Sequence, residues 1–346
     1  MNGRAMSHNA RQLRRWVGTS GFALALITMV VSRAAAEEPL TVALGAAGES
    51  STAVVAPTVY VRAPLDDRHL LWASQIGWTS SLGYEARLSR QTALLLEIRG
   101  TPWRANLADV AFQDGRLVEE GTFEAAQLVG DVGIRYSGES DHRAELALAI
   151  FHPFVEGLPA ETLDRWNTLH IGARLHLRAA WLRSDDPLRG RSDGLSLRAD
   201  VRGFVGSSPW VDARIAVQGG RRWGRFFLSG SLSGFHITSA DAFSRVAVGG
   251  SWDALGADAV YGFPLGAYRL ASGAVLSVRS DIVLFGPLEL GLRGSALASP
   301  DGLSYGGAVQ LMLRVWGVDI HAGVGLGRPE NFAPNAYGSL RALWMF

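Results

Sequence analysis

The sequence predicts an all-β protein, a closed antiparallel transmembrane β-barrel of about 16 strands, with 14 or 12 as alternatives, after a cleaved signal peptide. Three observations predict this fold. An export signal opens the chain, most later residues alternate between apolar and polar with a period of two, and the last segment ends on an aromatic residue. Since strands alternate with that period, the alternation indicates strands throughout.

Residues 1–36 have the layout of a signal peptide. Arg14 and Arg15 precede the apolar run 17–31, and small residues up to Ala36 form the expected cleavage site. That run is shorter than the roughly 20 residues that a spanning helix needs. We therefore expect cleavage rather than an uncleaved anchor, and export of the mature protein.

The remainder divides into a short N-terminal segment, 37–52, and a barrel, 53–346. Strands are predicted near 53–62, 70–80, 82–89, 91–100, 123–137, 142–155, 167–183, 193–206, 209–222, 224–237, 243–252, 272–285, 287–298, 303–316, 317–328 and 336–346. The first of these contains Pro57, which cannot donate to a strand ladder. Pro57 would either weaken the edge of the sheet or mark the start of the strand.

The apolar face of these strands is predicted to face lipid. Every second residue of 169–183 is apolar, including Leu175 and Trp181, whereas Arg174 and His176 occupy the other face. A soluble sandwich would bury the apolar face, and a membrane barrel turns it outward. The export signal and a polar face with charges of both signs favour the barrel, which must then close, because an open edge is unstable in hydrocarbon.

Aromatic residues support a membrane location. They recur near predicted strand ends, where interfacial belts lie: Trp72, Trp78, Tyr136, Trp181, Trp210, Trp223, Phe226, Trp316 and Trp344. The last strand places Trp344 and Phe346 on one face and resembles the signal by which outer-membrane barrels are recognised for insertion. This predicts the bacterial outer membrane as location, with outer-membrane lipid and, during insertion, the barrel-assembly machinery as partners.

Residues 243–285 resemble part of the BamA/TamA superfamily of outer-membrane assembly proteins. Gly249 and Gly250 end a predicted strand, 261–269 lies in the following loop, and five strands follow to Phe346. The resemblance implies a loop with an Arg-Gly-Tyr-type motif folded into the lumen, eleven strands before it, and a seam between the first and last strands that opens sideways. The residues of the expected lumen loop are Tyr261, Gly262, Phe263 and Arg269.

The chain departs from that pattern at the motif itself. Val260 and Tyr261 replace the usual order, so the arginine of the motif is missing there. Arg269 is the candidate substitute, and we expect it to pair with Asp281 or Glu289 on the lumen face. Arg293 lies on the same predicted face and completes the expected lumen partners. The POTRA domains of the family have no counterpart before the first predicted strand.

The composition narrows the function classes. The formal net charge is +1, all 33 basic residues are Arg, and there is no Cys. No basic patch indicates nucleic acid, and disulfides and thiolate metal sites are excluded. His170 and His176 are about 20 Å apart along a strand, too far to share a metal ion. No Ser–His pair has a recognisable catalytic spacing. We expect no enzyme activity, cofactor or metal.

The predicted function is therefore non-enzymatic: helping polypeptide or lipid to insert or cross, or acting as a plugged scaffold. The alternative is a porin-like channel for small solutes. In that case the surplus of lumen Arg over Asp and Glu predicts a mild preference for anions.

Overall fold

A computed structural model describes the backbone over most of the chain. The described residues are 40–49, 54–76, 79–107, 111–113, 116–118, 123–138, 141–156, 168–186, 191–206, 209–238, 246–248, 260–261, 263, 268–300, 302–328 and 335–345. Within these ranges no helix has the length and apolar character needed to span a bilayer. The predicted signal peptide, Trp78 and Phe346 lie outside the described residues.

The described residues form twenty strands. They are β1 Thr41–Glu49, β2 Val54–Pro64, β3 His69–Ile76, β4 Thr79–Arg87, β5 Thr92–Leu107, β6 Ala111–Gln113, β7 Arg116–Val118, β8 Phe123–Ser137, β9 Arg143–Glu156, β10 His170–Asp186, β11 Arg191–Val205, β12 Trp210–Trp223, β13 Phe226–Ile237, β14 Val246–Val248, β15 Tyr268–Leu270, β16 Ser272–Phe285, β17 Leu288–Ser299, β18 Gly302–Val315, β19 Val318–Arg328 and β20 Asn335–Met345.

Sixteen of these strands close into one antiparallel barrel. The wall runs β1 to β5, then β8 to β13, then β16 to β20, and β20 pairs with β1. The pairs β6–β7 and β14–β15 are separate two-stranded sheets within connections. The predicted fold class and strand number are confirmed, as are eleven wall strands before the long connection and five after it.

Two strand assignments were wrong and offset each other in the count. The wall begins at Thr41–Glu49, inside the segment 37–52 that was expected to precede the barrel. The predicted strand 243–252 is not in the wall, because within it only Val246–Val248 is described as a strand and its partner is β15. Small residues weaken the alternation of β1, whereas the apolar residues of β14 alternate for a different reason given below. Sequence periodicity does not separate the two cases.

This correction also moves Pro57. It lies in β2, opposite Ala46 of β1, and so it is not at the junction of the first and last strands. That junction pairs Ala43–Glu49 with Ser339–Met345. The suggestion that Pro57 weakens this junction is therefore wrong.

The wall turns its apolar side chains outward. In β10, Leu175 is 41% exposed and Trp181 is 50% exposed, whereas Arg174 and His176 are partly buried and make ion pairs with other inward-facing side chains. Since outward means lipid for a closed transmembrane wall, the apolar face is the lipid-facing one.

The two ends of the barrel have connections of different length. At one end β2–β3, β4–β5, β12–β13, β16–β17 and β18–β19 are joined by short turns, and at the other end β9–β10 and β13–β16 are joined by residues 157–169 and 238–271. Outer-membrane barrels have short periplasmic turns and longer extracellular loops. The short-turn end is therefore the periplasmic end, and the ends of β1 and β20 that hold Thr41 and Met345 lie there.

Candidate functional site

The connection between β13 and β16 enters the lumen. Its β14 and β15 pair as a hairpin, and Val260 and Phe263 are fully buried. Tyr261 lies half-buried beside β17, where the Ser295 hydroxyl donates to its carbonyl oxygen at 3.3 Å. Gly262 lies outside the described residues, and Arg269 is described only as a backbone position of β15, opposite Ala247.

Apolar residues of this connection pack against inward-facing residues of the wall in one apolar cluster, here called the plug cluster. Its members are Ala149, Phe151, Phe204, Trp210, Phe235, Ile237, Val246, Val248, Val260, Phe263, Leu270, Val275 and Leu297. The wall members lie toward the extracellular ends of β9, β11, β12, β13, β16 and β17. The buried face of β14 explains its alternation, because that strand packs on the lumen side of the wall rather than in it.

Trp210 belongs to the plug cluster and not to an interfacial belt. Its ring stacks on Phe204 at 4.7 Å between centroids and meets Phe151 edge-on at 5.9 Å. The prediction that Trp210 faces the membrane interface is wrong, because its parity in β12 turns it inward. Trp72 is a second inward-facing residue of that predicted belt, since its indole lies over Gly83 on the lumen face of β4. Trp181, Trp223 and Trp316 are exposed as expected.

Nearer the periplasmic end lies a compact set of charges, here called the buried ion cluster: Arg191, Arg279, Asp281, Glu289 and Arg293. The Asp281 carboxylate accepts from Arg191 Nε at 2.8 Å, from Arg279 Nε at 2.8 Å and from Arg293 Nη1 at 2.5 Å. Arg191 also donates to Glu289. Asp281 and Glu289 thus hold three guanidinium groups together by charge-assisted hydrogen bonds.

Arg191 was missed by the sequence analysis. It starts β11 and reaches over β12 and β13 to Asp281 on β16. Strict alternation from Asp200 would place Arg191 on the lipid side. Gly194, whose φ is +141°, and a register shift between Leu182 and Ser184 change the direction of the strand there, and Arg191 turns inward. Gly194 is the sequence signal that could have indicated this, because glycine within a strand often marks a bulge.

The Arg269 side chain lies outside the described part of the chain, so its expected pairing with Asp281 or Glu289 stays a prediction. Both carboxylates are occupied by guanidinium groups of the wall. Of the predicted lumen partners, the structure brings Asp281, Glu289 and Arg293 together. The described part of the connection contacts the wall through the plug cluster, in which Phe263 is the largest fully buried side chain.

Packing around the buried ion cluster excludes most water. Asp281 and the Arg293 side chain are each 2% exposed. The Phe227 ring lies under Arg191 at 5.8 Å and Arg279 at 6.0 Å, distances suited to cation–π attraction. Gly291 leaves the necessary space, since a Cβ there would lie 2.7 Å from Arg293 Nη1.

A second charged network lines the wall from β4 to β11 and is more open. Asp131 is shared by Arg99 and Arg174, and Asp200 accepts from Arg174 Nε at 2.9 Å and from Arg202 Nε at 3.0 Å. The side chains of Arg174 and Asp200 are 15% and 19% exposed. Among the described residues no three His, Cys, Asp or Glu side chains are placed to hold a metal ion.

Solved outer-membrane barrels have a similar architecture. BamA from Haemophilus ducreyi lacking POTRA domains 1-3 aligns with a TM-score of 0.64 at 8% identity, over 89% of this chain and 70% of that one. CdiB from Acinetobacter baumannii and CdiB from Escherichia coli each align with a TM-score of 0.61 at 12% identity. This chain has the barrel fold of these outer-membrane proteins.

The two CdiB structures share this barrel fold. The alignments cover 89% and 90% of this chain, and 60% and 63% of the two CdiB chains. No family model matches the sequence, and neither does a curated protein. In the predicted C-terminal insertion signal, Trp344 is 42% exposed on the outer face of β20, and Phe346 lies outside the described residues.

Proposed function

We propose that this barrel is a non-enzymatic component of the bacterial outer membrane that helps polypeptide or lipid to insert or cross. Outer-membrane lipid and the barrel-assembly machinery are its proposed partners. The observation that carries the proposal is that the plug cluster and the buried ion cluster obstruct the lumen beside β9 to β17. A client then has a lateral route through the wall rather than an axial one through its centre.

The seam between β1 and β20 is the proposed route. Its ladder joins Ala43–Glu49 to Ser339–Met345, whereas β10 and β11 pair along Ile171–Asp186. Small residues line β1, and Gly45 approaches so closely that an added Cβ would lie 2.5 Å from the Ala342 carbonyl oxygen. A short ladder with few large cross-strand side chains is held less strongly than the long ones.

A disulfide across the seam tests the proposal. The chain has no Cys, so Ala46→Cys with Ala342→Cys introduces one defined pair between residues directly opposite each other. Such residues lie about 4.5–5.5 Å apart at Cα, within the range of a disulfide. The matched control is Ile320→Cys with Ala342→Cys, which ties β20 to β19 instead of β1.

The measurement is the folding rate of an unfolded outer-membrane barrel added to proteoliposomes of each variant. We expect the wild-type chain to accelerate this folding over empty liposomes, and oxidation of the seam pair to abolish the acceleration until a reductant restores it. The oxidised control should keep it. Equal rates with and without the chain would contradict the proposal, and equal loss in both variants would contradict the seam.

A porin-like channel is the second candidate function. It is favoured by an aqueous cavity of about 800 Å³ at the periplasmic end, whose described lining contains five Arg and two acidic residues. Planar-bilayer recording separates the two functions. An obstructed lumen predicts small or absent conductance, and a steady large conductance with anion preference would support the channel.

A further inference from the structure

The cavity at the periplasmic end is a site distinct from the plug cluster and from the buried ion cluster. It is formed by β2 to β5, β8 and β9 together with residues 89–91, Gly138, Asp141 and His142, and it has a volume of about 800 Å³. The buried ion cluster uses β11, β16 and β17. The cavity opens at the end of the barrel that faces the periplasm, so solutes reach it from there.

Its lining has more guanidinium groups than carboxylates. The five arginines are Arg62, Arg87, Arg90, Arg135 and Arg143, and the two acids are Glu85 and Asp141. The difference, five minus two, is three positive charges. An enclosed, low-dielectric surface of one sign focuses the electrostatic potential and concentrates ligands of the opposite charge.

The carboxylates do not neutralise this surplus, because each is shared. Glu85 pairs with Arg135 at 2.7 Å and with Arg87 at 3.9 Å. Asp141 pairs with Arg143 and Arg178, both at 2.8 Å. Arg135 also pairs with Glu145 at 2.7 Å, so its charge is paired within the wall. The surplus positive charge therefore lies on the other arginines of the lining.

The shape and the donors favour a small polyanion. Volumes of roughly 300–1,000 Å³ are typical of small-molecule sites. Guanidinium groups match phosphate and carboxylate oxygens in two-point hydrogen bonds. The Trp72 indole, lying over Gly83, forms part of the lining, and the hydroxyl-bearing Ser89 and Thr92 lie on another side.

We propose that this cavity binds a small solute from the periplasm that carries two or more phosphate or carboxylate groups. Arg87 and Arg143 lie on different strands of its wall and grip the anion from two sides. Their side chains are 47% and 42% exposed, so they reach the solvent of the cavity. This inference does not depend on the proposed insertion function.

Isothermal titration calorimetry with sodium pyrophosphate, on the full chain in phosphatidylcholine nanodiscs at an ionic strength of about 0.1 M, where the Debye length is about 10 Å, tests the site. We expect saturable binding with one site per chain. The double variant Arg87→Gln with Arg143→Gln should bind about tenfold more weakly, since two charge-assisted contacts are lost. Glu85 and Asp141 keep Arg135 and Arg178 as partners in that variant, so the wall is preserved.

The matched control is Arg221→Gln with Arg222→Gln, which removes the same charge near the same end but outside the cavity lining. It should change the affinity by less than about twofold, because screened charges beyond a Debye length act weakly. A gain is expected for Asp141→Asn, which releases two guanidinium groups from a carboxylate. Asn tolerates the positive φ of 60° at that position.

An equal loss of pyrophosphate affinity in the control pair would overturn the proposal. The absence of tighter binding in Asp141→Asn, or the absence of saturable heat in the wild type, would overturn it as well. Nanodiscs containing phosphatidylglycerol distinguish the source of the anion. An unchanged pyrophosphate affinity there supports a free solute, and about tenfold weaker binding would show that lipid headgroups occupy the cavity and would overturn the solute as its natural ligand.

Discussion

The lumen contains two ion networks of the same chemistry and different burial. Around Asp281 the carboxylate and the Arg293 side chain are each 2% exposed, whereas around Asp200 the carboxylate is 19% exposed and its partner Arg174 is 15% exposed. Each Asp is shared by one Arg of its own strand and at least one Arg of another strand. The two networks differ in the side chains that shield them from water. Phe227 lies under the Asp281 network, and the plug cluster lies on its extracellular side.

The two networks should respond differently to the loss of one charge. Where water is excluded, removal of one charge leaves its partners buried and unpaired, so the network behaves as structure. Where water enters, lost pairs are replaced by hydration, and the same residue types can exchange partners or bind a solute. The four predictions below test this difference, from the largest expected effect to the smallest.

Removal of charge from the two networks should have unequal cost. Asp281→Asn leaves Arg191, Arg279 and Arg293 without their shared carboxylate, and we expect a loss of about 3–5 kcal/mol in the free energy of unfolding. Asp200→Asn should cost less, about 1–2 kcal/mol, since Arg174 and Asp200 keep 15% and 19% of their side-chain exposure. Urea unfolding in detergent micelles, followed by tryptophan fluorescence, measures both. Similar losses would show that burial does not distinguish the networks.

The plug cluster should pack less tightly when its largest fully buried side chain, Phe263, is truncated. Phe263→Ala removes a fully buried ring, at a local cost of about 3 kcal/mol, which loosens the connection that enters the lumen. Single-channel recording in planar bilayers should then detect larger or more frequent conductance steps than in the wild type. Phe285→Ala is the control, because that ring is 68% exposed at the periplasmic end of β16. Conductance raised equally by both would exclude the plug as its cause.

Gly83, on the lumen face of β4, leaves room for the inward-facing ring of Trp72. A Cβ at Gly83 would lie 2.0 Å from the Trp72 ring, so Gly83→Ala must displace the indole toward the cavity, at about 1–3 kcal/mol. Gly130, in a nearby strand, has nothing within 4 Å of such a Cβ, and Gly130→Ala should be neutral. Urea midpoints compare the two, and pyrophosphate affinity should fall only in Gly83→Ala.

The smallest effect concerns the turn between β2 and β3. The pKa of Asp66 lies below its ordinary value, chiefly because the Arg68 backbone N–H donates to its carboxylate, with the His69 N–H as a second donor. The stabilisation of the turn is therefore present above the unfolded-state pKa of Asp66 and lost as the pH falls through its lower folded-state pKa.

Hydrogen exchange at the Arg68 and His69 amides should accelerate in Asp66→Ala at neutral pH, with no measurable change in global stability, because this carboxylate is fully exposed. In the wild type the same acceleration should appear only in acid. Unchanged exchange in the variant would mean that these hydrogen bonds do not hold the turn.

Much of the wall was predictable because lipid imposes a strict rule on each strand. The alternation of β10 correctly placed Leu175 outward and Arg174 inward. The same rule failed at β1, where Gly and Ala have too little contrast, and at β14, where the alternation reflects packing inside the lumen. An alternation with a period of two indicates that one face of a segment is shielded from water, and it does not indicate whether lipid or protein shields that face.

The candidate site was partly predictable. Asp281, Glu289 and Arg293 were placed on the lumen face by parity alone, and the structure brings them together. Their main partner from a distant strand, Arg191, was not predictable, because the bend at Gly194 changes the parity of β11 at its end. The cavity was equally hidden, since its residues come from six strands and two turns.

The sequence by itself determined the barrel and its lipid-facing surface, because these follow from local periodicity and from the length of each segment, whereas the inward connection was expected only from the resemblance to the BamA/TamA superfamily. Only the tertiary structure decided that β20 closes on Thr41–Glu49, that Arg191 bridges to Asp281, and that the network around Asp281 is more deeply buried than the network around Asp200. The physical reason is that burial and pairing depend on the shear and closure of the whole sheet, which bring together residues with no fixed spacing along the chain.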